Sequence, residues 1–284
     1  MKERIVHPLS RTFCLAALLA LGLAACKRET APAADPATAP APADGEAAAA
    51  PTEDAGPVEL RDLIESNDRY IVGISYPPGL DRHPGLARVL ADYSGAARAE
   101  LIAAVDGLGN DKPTAPYELS LGYQVLADNP RMVVVAADGS SYTGGAHGQP
   151  LVARFVWLVQ EQKLLTIHDL LPTAQGLIAV GAYAREQLHT ALSLRVEADE
   201  LPPVERSALI KSAGRMIQAG TQPDADNFGQ FQPLLDADGR ITALRFVFPP
   251  YQVGPYSDGT QTVDVPAPVL LPHVAPEYAG LFAG

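Results

Sequence analysis

YELSLGYQV, residues 117–125, alternates Tyr117, Leu119, Leu121, Tyr123 and Val125 with Glu118, Ser120, Gly122 and Gln124. A period of two sends the first set to one face and the second to the other. The stretch therefore predicts a strand with one dry and one wet face, as antiparallel sheets have. Upstream, RYIVGISY (69–76) reads as a second strand, stopped at Pro77-Pro78, where ladder hydrogen bonding fails. Between the two, Leu86, Val89, Leu90, Tyr93, Ala97, Leu101 and Val105 recur at steps of three and four. That spacing predicts an amphipathic helix opening near Pro84 and closing at Gly107.

Downstream, residues 131–137 and 151–159 read as strands joined by a loop in SSYTGGAHGQP (140–150). Helical stretches follow at about 175–194 and 204–218. PLLDADGRITALRFVF (233–248) then predicts a hairpin around Ala237-Asp238-Gly239, with Leu244, Phe246 and Phe248 on one face. TQTVDVP (260–266) is a last strand, and a short helix fits 276–282. Helices interspersed among mostly antiparallel strands predict the α+β class. Nothing repeats at a period of 20–50 residues, so a solenoid is excluded.

The N-terminus predicts export. Lys2, Arg4 and Arg11 precede an apolar run, TFCLAALLALGLAA (12–25), that is shorter than the roughly 20 residues a membrane span needs. It ends in Leu23-Ala24-Ala25-Cys26, which resembles a bacterial lipobox and implies a lipidated Cys26. Lys27 follows, not the aspartate associated with inner-membrane retention, which favours the outer membrane, facing the periplasm. Residues 27–57 are rich in alanine, proline and acidic side chains without an apolar period. They read as a tether that spans about 30 Å as a flexible coil.

Cys14 and Cys26 are the chain's two cysteines. The first leaves with the signal and the second is spent on lipid, so disulfides, CxxC zinc sites and cysteine nucleophiles are excluded downstream. The formal charge is −12. Residues 1–25 carry three basic and one acidic side chain, so the chain without them stands at −14. No basic cluster remains to neutralise phosphates, which excludes nucleic acid as a partner class. A protein partner, on charge alone, would be basic.

The usual chemical signatures are missing: H-E-x-x-H, G-x-S-x-G, the P-loop and a G-x-G-x-x-G opening a helix. Histidines after the signal stand at 83, 147, 168, 189 and 273, with no pair at i, i+4. No metal ligand set, cofactor or catalytic residue is assigned. Asp62, Glu65, Asp68 and Asp81 read as scattered in turns and near strand ends, and nothing selects from them the carboxylate pair a glycosidase needs. Asp169 reads as the cap of a turn, and His189 as solvated on a helix face. Tyr251 and Tyr256, among prolines, read more readily as pinning a loop onto the core than as ligand contacts.

The candidate ligand or structural loop is Tyr142, Thr143, Gly144, Gly145 and His147, with Tyr251 and Tyr256. Gly144, Gly145 and Gly148 fit a chain that takes positive φ or passes close to other backbone. Tyr142 and Ala146 are expected to pack inward. His147 is expected to be a hydrogen-bonding staple, its ring nitrogens met by backbone or carboxylate. The rival reading makes it a general base or ligand at a pocket mouth.

Ser141-Tyr142-Thr143-Gly144-Gly145-Ala146-His147-Gly148 resembles the YTGGAHG signature of the domain-of-unknown-function family 3298. FPPYQVGPYSDG (248–259) resembles that family's second aromatic segment, with V-x-V-P (263–266) after it. ISYPPG (74–79) and the following helix are similar to the partner family 4163. The resemblance implies an extracytoplasmic α+β module of the kind in the lysozyme-sensing anti-sigma factor RsiV and the peptidoglycan deacetylase PdaC. This sequence lacks the sigma-binding and membrane-spanning segments of the one and the T-F-D-D-G-P metal motif of the other.

The expected organisation is a signal (1–25), a lipidated cysteine and tether (26–57), a family 4163-like half (58–139) and a family 3298-like half (140–284). The resemblance implies an envelope lipoprotein, more readily non-enzymatic than not, that binds or senses a cell-wall glycan or a basic wall-acting protein. The alternative is a wall hydrolase or transferase using His147 and carboxylates. Replacing Cys26 by Ser should move the protein from the membrane to the soluble fraction, read by fractionating cells and blotting. A wild-type protein already soluble after export would contradict the lipobox reading.

Overall fold

The computed structural model describes residues 58–198 and 201–283. The expected signal, Cys26 and the tether lie outside the described residues. The chain opens with β1 (Leu63–Ser66) and β2 (Tyr70–Ser75), then α1 (Pro84–Asp106), and continues through β3 (Tyr117–Asp128), β4 (Met132–Tyr142), β5 (Gln149–Leu158) and the two-residue β6 (Lys163–Leu164). These six strands form one sheet in sequence order. A single turn, α2 (Ile167–Leu170), leads to α3 (Ala174–Ala198) and α4 (Pro203–Gly220). A second sheet holds β7 (Phe231–Leu235), β8 (Ile241–Phe248) and β9 (Gln261–Pro266), again in sequence order, and α5 (Ala267–Leu270) follows.

The class is α+β, and antiparallel pairing dominates. The exception is β2 with β3, which are parallel, because a whole helix crosses between them and returns the chain to the same end. Near the C-terminus the expected short helix is a 3-10 turn, Pro276–Leu281. The expected boundary at 139/140 falls inside β4.

Two apolar cores share β4 and β5 as a wall. On one face, Val133, Val135, Ala137, Ala153, Phe155 and Trp157 meet Leu86, Leu90 and Leu101 of α1, with β2 and β3 contributing Val72, Ile74, Leu119 and Leu121. On the other, Met132, Val134, Val156 and Leu158 meet Val180, Ala184, Leu188 and Leu192 of α3 and the inner face of the second sheet. Phe228 sits in this second core, edge-on to Phe246 at 5.3 Å and to Phe248 at 6.1 Å. That edge-to-face geometry is favourable for aromatic quadrupoles.

Three of the four acidic residues singled out in the first half, Asp62, Glu65 and Asp68, have local duties. Asp62 accepts from the Tyr76 N–H at 2.9 Å, and Asp68 pairs with Lys112. Glu65 lies in β1, one residue from its end, and holds Arg98 of α1 through a two-pronged contact at 2.9 Å.

Arg154 of β5 joins the two sheets. Its N–H donates to Gln230 Oε1 at 2.8 Å and its Nε to Gln232 Oε1 of β7 at 3.0 Å. Nη1 reaches Asp138 at 3.0 Å and the Ala153 carbonyl at 2.8 Å. The Arg154 side chain is 10% exposed although Asp138 is 55% exposed, so its part-buried bonds to Gln232 and the Ala153 carbonyl count for more than surface pairs do. Arg154→Ala should lower the unfolding free energy by about 2 kcal/mol, since it strands polar partners at the sheet junction. Urea denaturation measures this; a change within error would show the junction is held by apolar packing alone.

Candidate functional site

The site is built by two loops that are far apart in sequence. The first closes the β4–β5 hairpin, whose last ladder pair is Ser141 with Gln149. Gly144 and Gly145 both have φ of 100°, a backbone that costs side-chain-bearing residues strain. Gly148 has a different reason: a Cβ there would sit 3.3 Å from the Ser141 carbonyl and 3.5 Å from Ser140 Cβ. Tyr142 is half-buried and its hydroxyl donates to the Gly145 carbonyl at 3.3 Å. Thr143 and His147 are exposed. Ala146, expected to pack inward, is exposed as well, because both glycines before it turn the chain outward.

The second loop joins β8 to β9. Its anchor is not tyrosine. Gln252 Nε2 donates to the Asn227 carbonyl at 2.8 Å and the Gly220 carbonyl at 3.2 Å, while Val253 is buried. With its neighbours held inward, Tyr251 adopts φ 75°, the left-handed region that bulky residues avoid. Tyr251 is 47% exposed and Tyr256 36% exposed, so the expectation that these two pin the loop to the core fails. They face outward, toward the first loop.

There the two loops meet. The Tyr251 hydroxyl lies 2.7 Å from His147 Nε2, and Tyr256 stacks on the imidazole at 4.0 Å between ring centres and 15° between planes. His147 Nδ1 lies 3.1 Å from the Gly148 carbonyl. A carbonyl only accepts, so Nδ1 carries a proton; in the neutral ring Nε2 then accepts from the Tyr251 O–H. His147 is thus a staple between loops, with a tyrosine where a carboxylate was one expected partner. Neither ring nitrogen is free to take a ligand proton without breaking one of these bonds.

Other sequence candidates stay apart from this cluster. Asp169 shares a capping box with Thr166. Burial pushes its carboxyl up, but hydrogen bonds from Thr166 and Lys163 outweigh that and hold it below the usual aspartate value. His189, expected to be solvated, is half-buried beside Gly214 of α4. Among the described residues no three His, Cys, Asp or Glu side chains gather as a metal-ligand group.

Two contributors were missed in the sequence. Tyr117 lies under the loop, such that a Cβ on Gly144 would be 3.9 Å from its ring; its place at the start of a strand gave no hint. Asp258 fixes the turn carrying Tyr256 by pairing with Arg195 of α3 at 2.8 Å, a contact with no local sequence signal.

Residues 217–267 match the family model described as "Protein of unknown function (DUF3298)". The match runs from the end of α4 through β9, so it contains Tyr251 and Tyr256 but not the 143–148 loop. Among solved structures, a DUF3298 family protein from Pseudomonas aeruginosa PAO1 is similar at 17% identity and a TM-score of 0.49, covering 79% of this chain and 96% of that one. A DUF3298 family member from Bacteroides fragilis is similar at 15% identity and a TM-score of 0.44, covering 78% and 94%. No curated protein matches.

The staple is exposed, so water can replace much of what it supplies. His147→Gln should cost no more than about 1 kcal/mol of stability. Gly145→Val should cost about 1–2 kcal/mol, because a β-branched side chain is forced into a positive-φ backbone. Paired denaturation curves test both; a larger loss for His147→Gln than for Gly145→Val would overturn the assignment of strain and bonding.

Proposed function

We propose that the described residues are the binding or sensing module of a lipid-anchored envelope lipoprotein, held by an acylated Cys26 at the outer membrane and facing the periplasm. The module is of the RsiV/PdaC type, with a family 4163-like half preceding the family 3298-like one. It acts without catalysis, and its ligand is a cell-wall glycan or a basic wall-acting protein. The observation that carries this reading is the exposed His147–Tyr251–Tyr256 cluster.

Exposed tyrosines offer flat apolar faces edged by hydroxyls, with few rotatable bonds to immobilise on binding. A sugar ring presents the complementary pattern of C–H faces and hydroxyl rims. That favours the glycan over the protein. The acidic charge of the chain favours basic partners in general, but the three side chains of the cluster carry no carboxylate.

A wall hydrolase or transferase using His147 is the weaker reading. General base catalysis needs a ring nitrogen within reach of a substrate proton, and both nitrogens here are already engaged.

The test is titration of the secreted Cys26→Ser form with soluble peptidoglycan fragments, read by calorimetry and by chromatography of the fragments. Binding without cleavage is expected. Tyr256→Ala and Tyr251→Ala should each weaken it at least tenfold while leaving the thermal midpoint within a few degrees. Cleavage of the fragments, or binding indifferent to both substitutions, would overturn the reading.

A further inference from the structure

The second sheet has an unusual free edge. β9 is its outer strand and is paired with β8 alone. In an antiparallel ladder alternate residues direct N–H and C=O to opposite sides, so the outer side of Gln261–Val265 presents main-chain donors and acceptors to an incoming strand. The sheet's other edge is covered: β7 lies against β5, carries Pro233, and is bonded through Gln232 to Arg154.

A groove runs along the β9 edge, walled by Gln187, Leu188 and Ala191 of α3 and floored by Gln261–Asp264. Beyond Ala191, one turn further along α3, stands the Arg195–Asp258 ion pair. At the other end Pro266 ends the strand and α5 begins. At about 3.4 Å per residue the strand floor matches four or five residues of extended chain.

The walls select the side chains. Leu188 belongs to the core, so the surface that α3 offers is exposed Gln187 and Ala191, and the room above small Ala191 suits small apolar residues. On the opposite side stands Asp264, 43% exposed, whose two oxygens each accept one bond from Arg245. A carboxylate has roughly four acceptor sites, so capacity remains for a second cation. The net charge of the chain reinforces that preference.

We infer that the α3–β9 groove docks an extended peptide segment of a partner protein, which adds as a fourth strand to the second sheet, with small apolar residues facing α3 and a basic residue beside Asp264. Main-chain bonds supply the affinity and the alternate side chains the selectivity, as in other strand-addition modes. This site is separate from the aromatic cluster and does not depend on what that cluster binds.

The probe is a fluorescein-labelled hexapeptide alternating valine with threonine and lysine, titrated into the full-length Cys26→Ser protein. Saturable binding is expected, with amide resonances of Gln261–Val265 among those that shift. Two versions N-methylated on alternate sets of backbone nitrogens distinguish strand addition from plain hydrophobic contact: one of them must bind at least tenfold more weakly. Exchanging lysine for glutamate should weaken binding similarly. Ala191→Trp should block the groove from an exposed position, while Tyr256→Ala should leave peptide binding unchanged. No saturable binding at millimolar peptide, or equal binding by both methylated versions, would overturn the inference. The methylated pair decides the matter even if Ala191→Trp fails to fold.

Discussion

The structure depends on β4 and β5 being buried on both faces. Residues 132–137 are buried without interruption, yet they still alternate, sending Val133, Val135 and Ala137 into the α1 core and Met132 and Val134 into the α3 core. A slip of one residue would exchange the two sets, pushing each side chain into a space shaped for another. The register of this hairpin is therefore enforced from both sides. Toward Tyr142 and Gln149 that burial fades, and the strands outrun the cores. The 143–148 loop is carried into solvent on a stem that cannot shift.

The second loop is aimed differently. Its rigidity comes from Gln252 and Val253, which tie it to the end of α4 and to the core, and from the Asp258–Arg195 pair. Tyr251 is left with a positive-φ backbone between those anchors. Such strain costs on the order of 1–3 kcal/mol and persists only where neighbouring structure over-determines it. One hydrogen bond to an exposed histidine contributes about 1 kcal/mol, so the buried anchors, not His147, must hold the strain. His147 orients two rings that the core has already brought to the surface.

Most elements were legible because their signals are local. The period-two pattern of 117–125, the three-four spacing from Leu86 to Val105 and the turn at Asp238-Gly239 each coincide with an observed element. The four-residue β1 and the two-residue β6 were not legible, since a strand that short has no period to read. The parallel pairing of β2 with β3 was hidden too, because strand direction is set by the crossover and not by either strand's composition. In the site, the need for glycine at 144 and 145 was readable from conformational cost alone. The outward turn of Tyr251 and Tyr256 was not. It depends on Gln252 and Val253 occupying the inward positions, and sequence gives no means to rank a glutamine above two tyrosines as a core anchor.

One turn carries both a ring of the aromatic cluster and an ion pair to α3. Tyr256 and Asp258 stand two residues apart in a single 3-10 turn: Tyr256 stacks on His147, and Asp258 binds Arg195 of α3. A short turn of this kind moves as a body, because each residue's backbone is fixed by its neighbours' bonds, here Asp258 N–H to the Pro255 carbonyl and Gly259 N–H to that of Tyr256. Moving the Tyr256 backbone would therefore strain the Asp258–Arg195 pair, whereas rotating the Tyr256 side chain would not. The ion pair to α3 is consequently one of the contacts that fix the backbone from which Tyr256 stacks on His147.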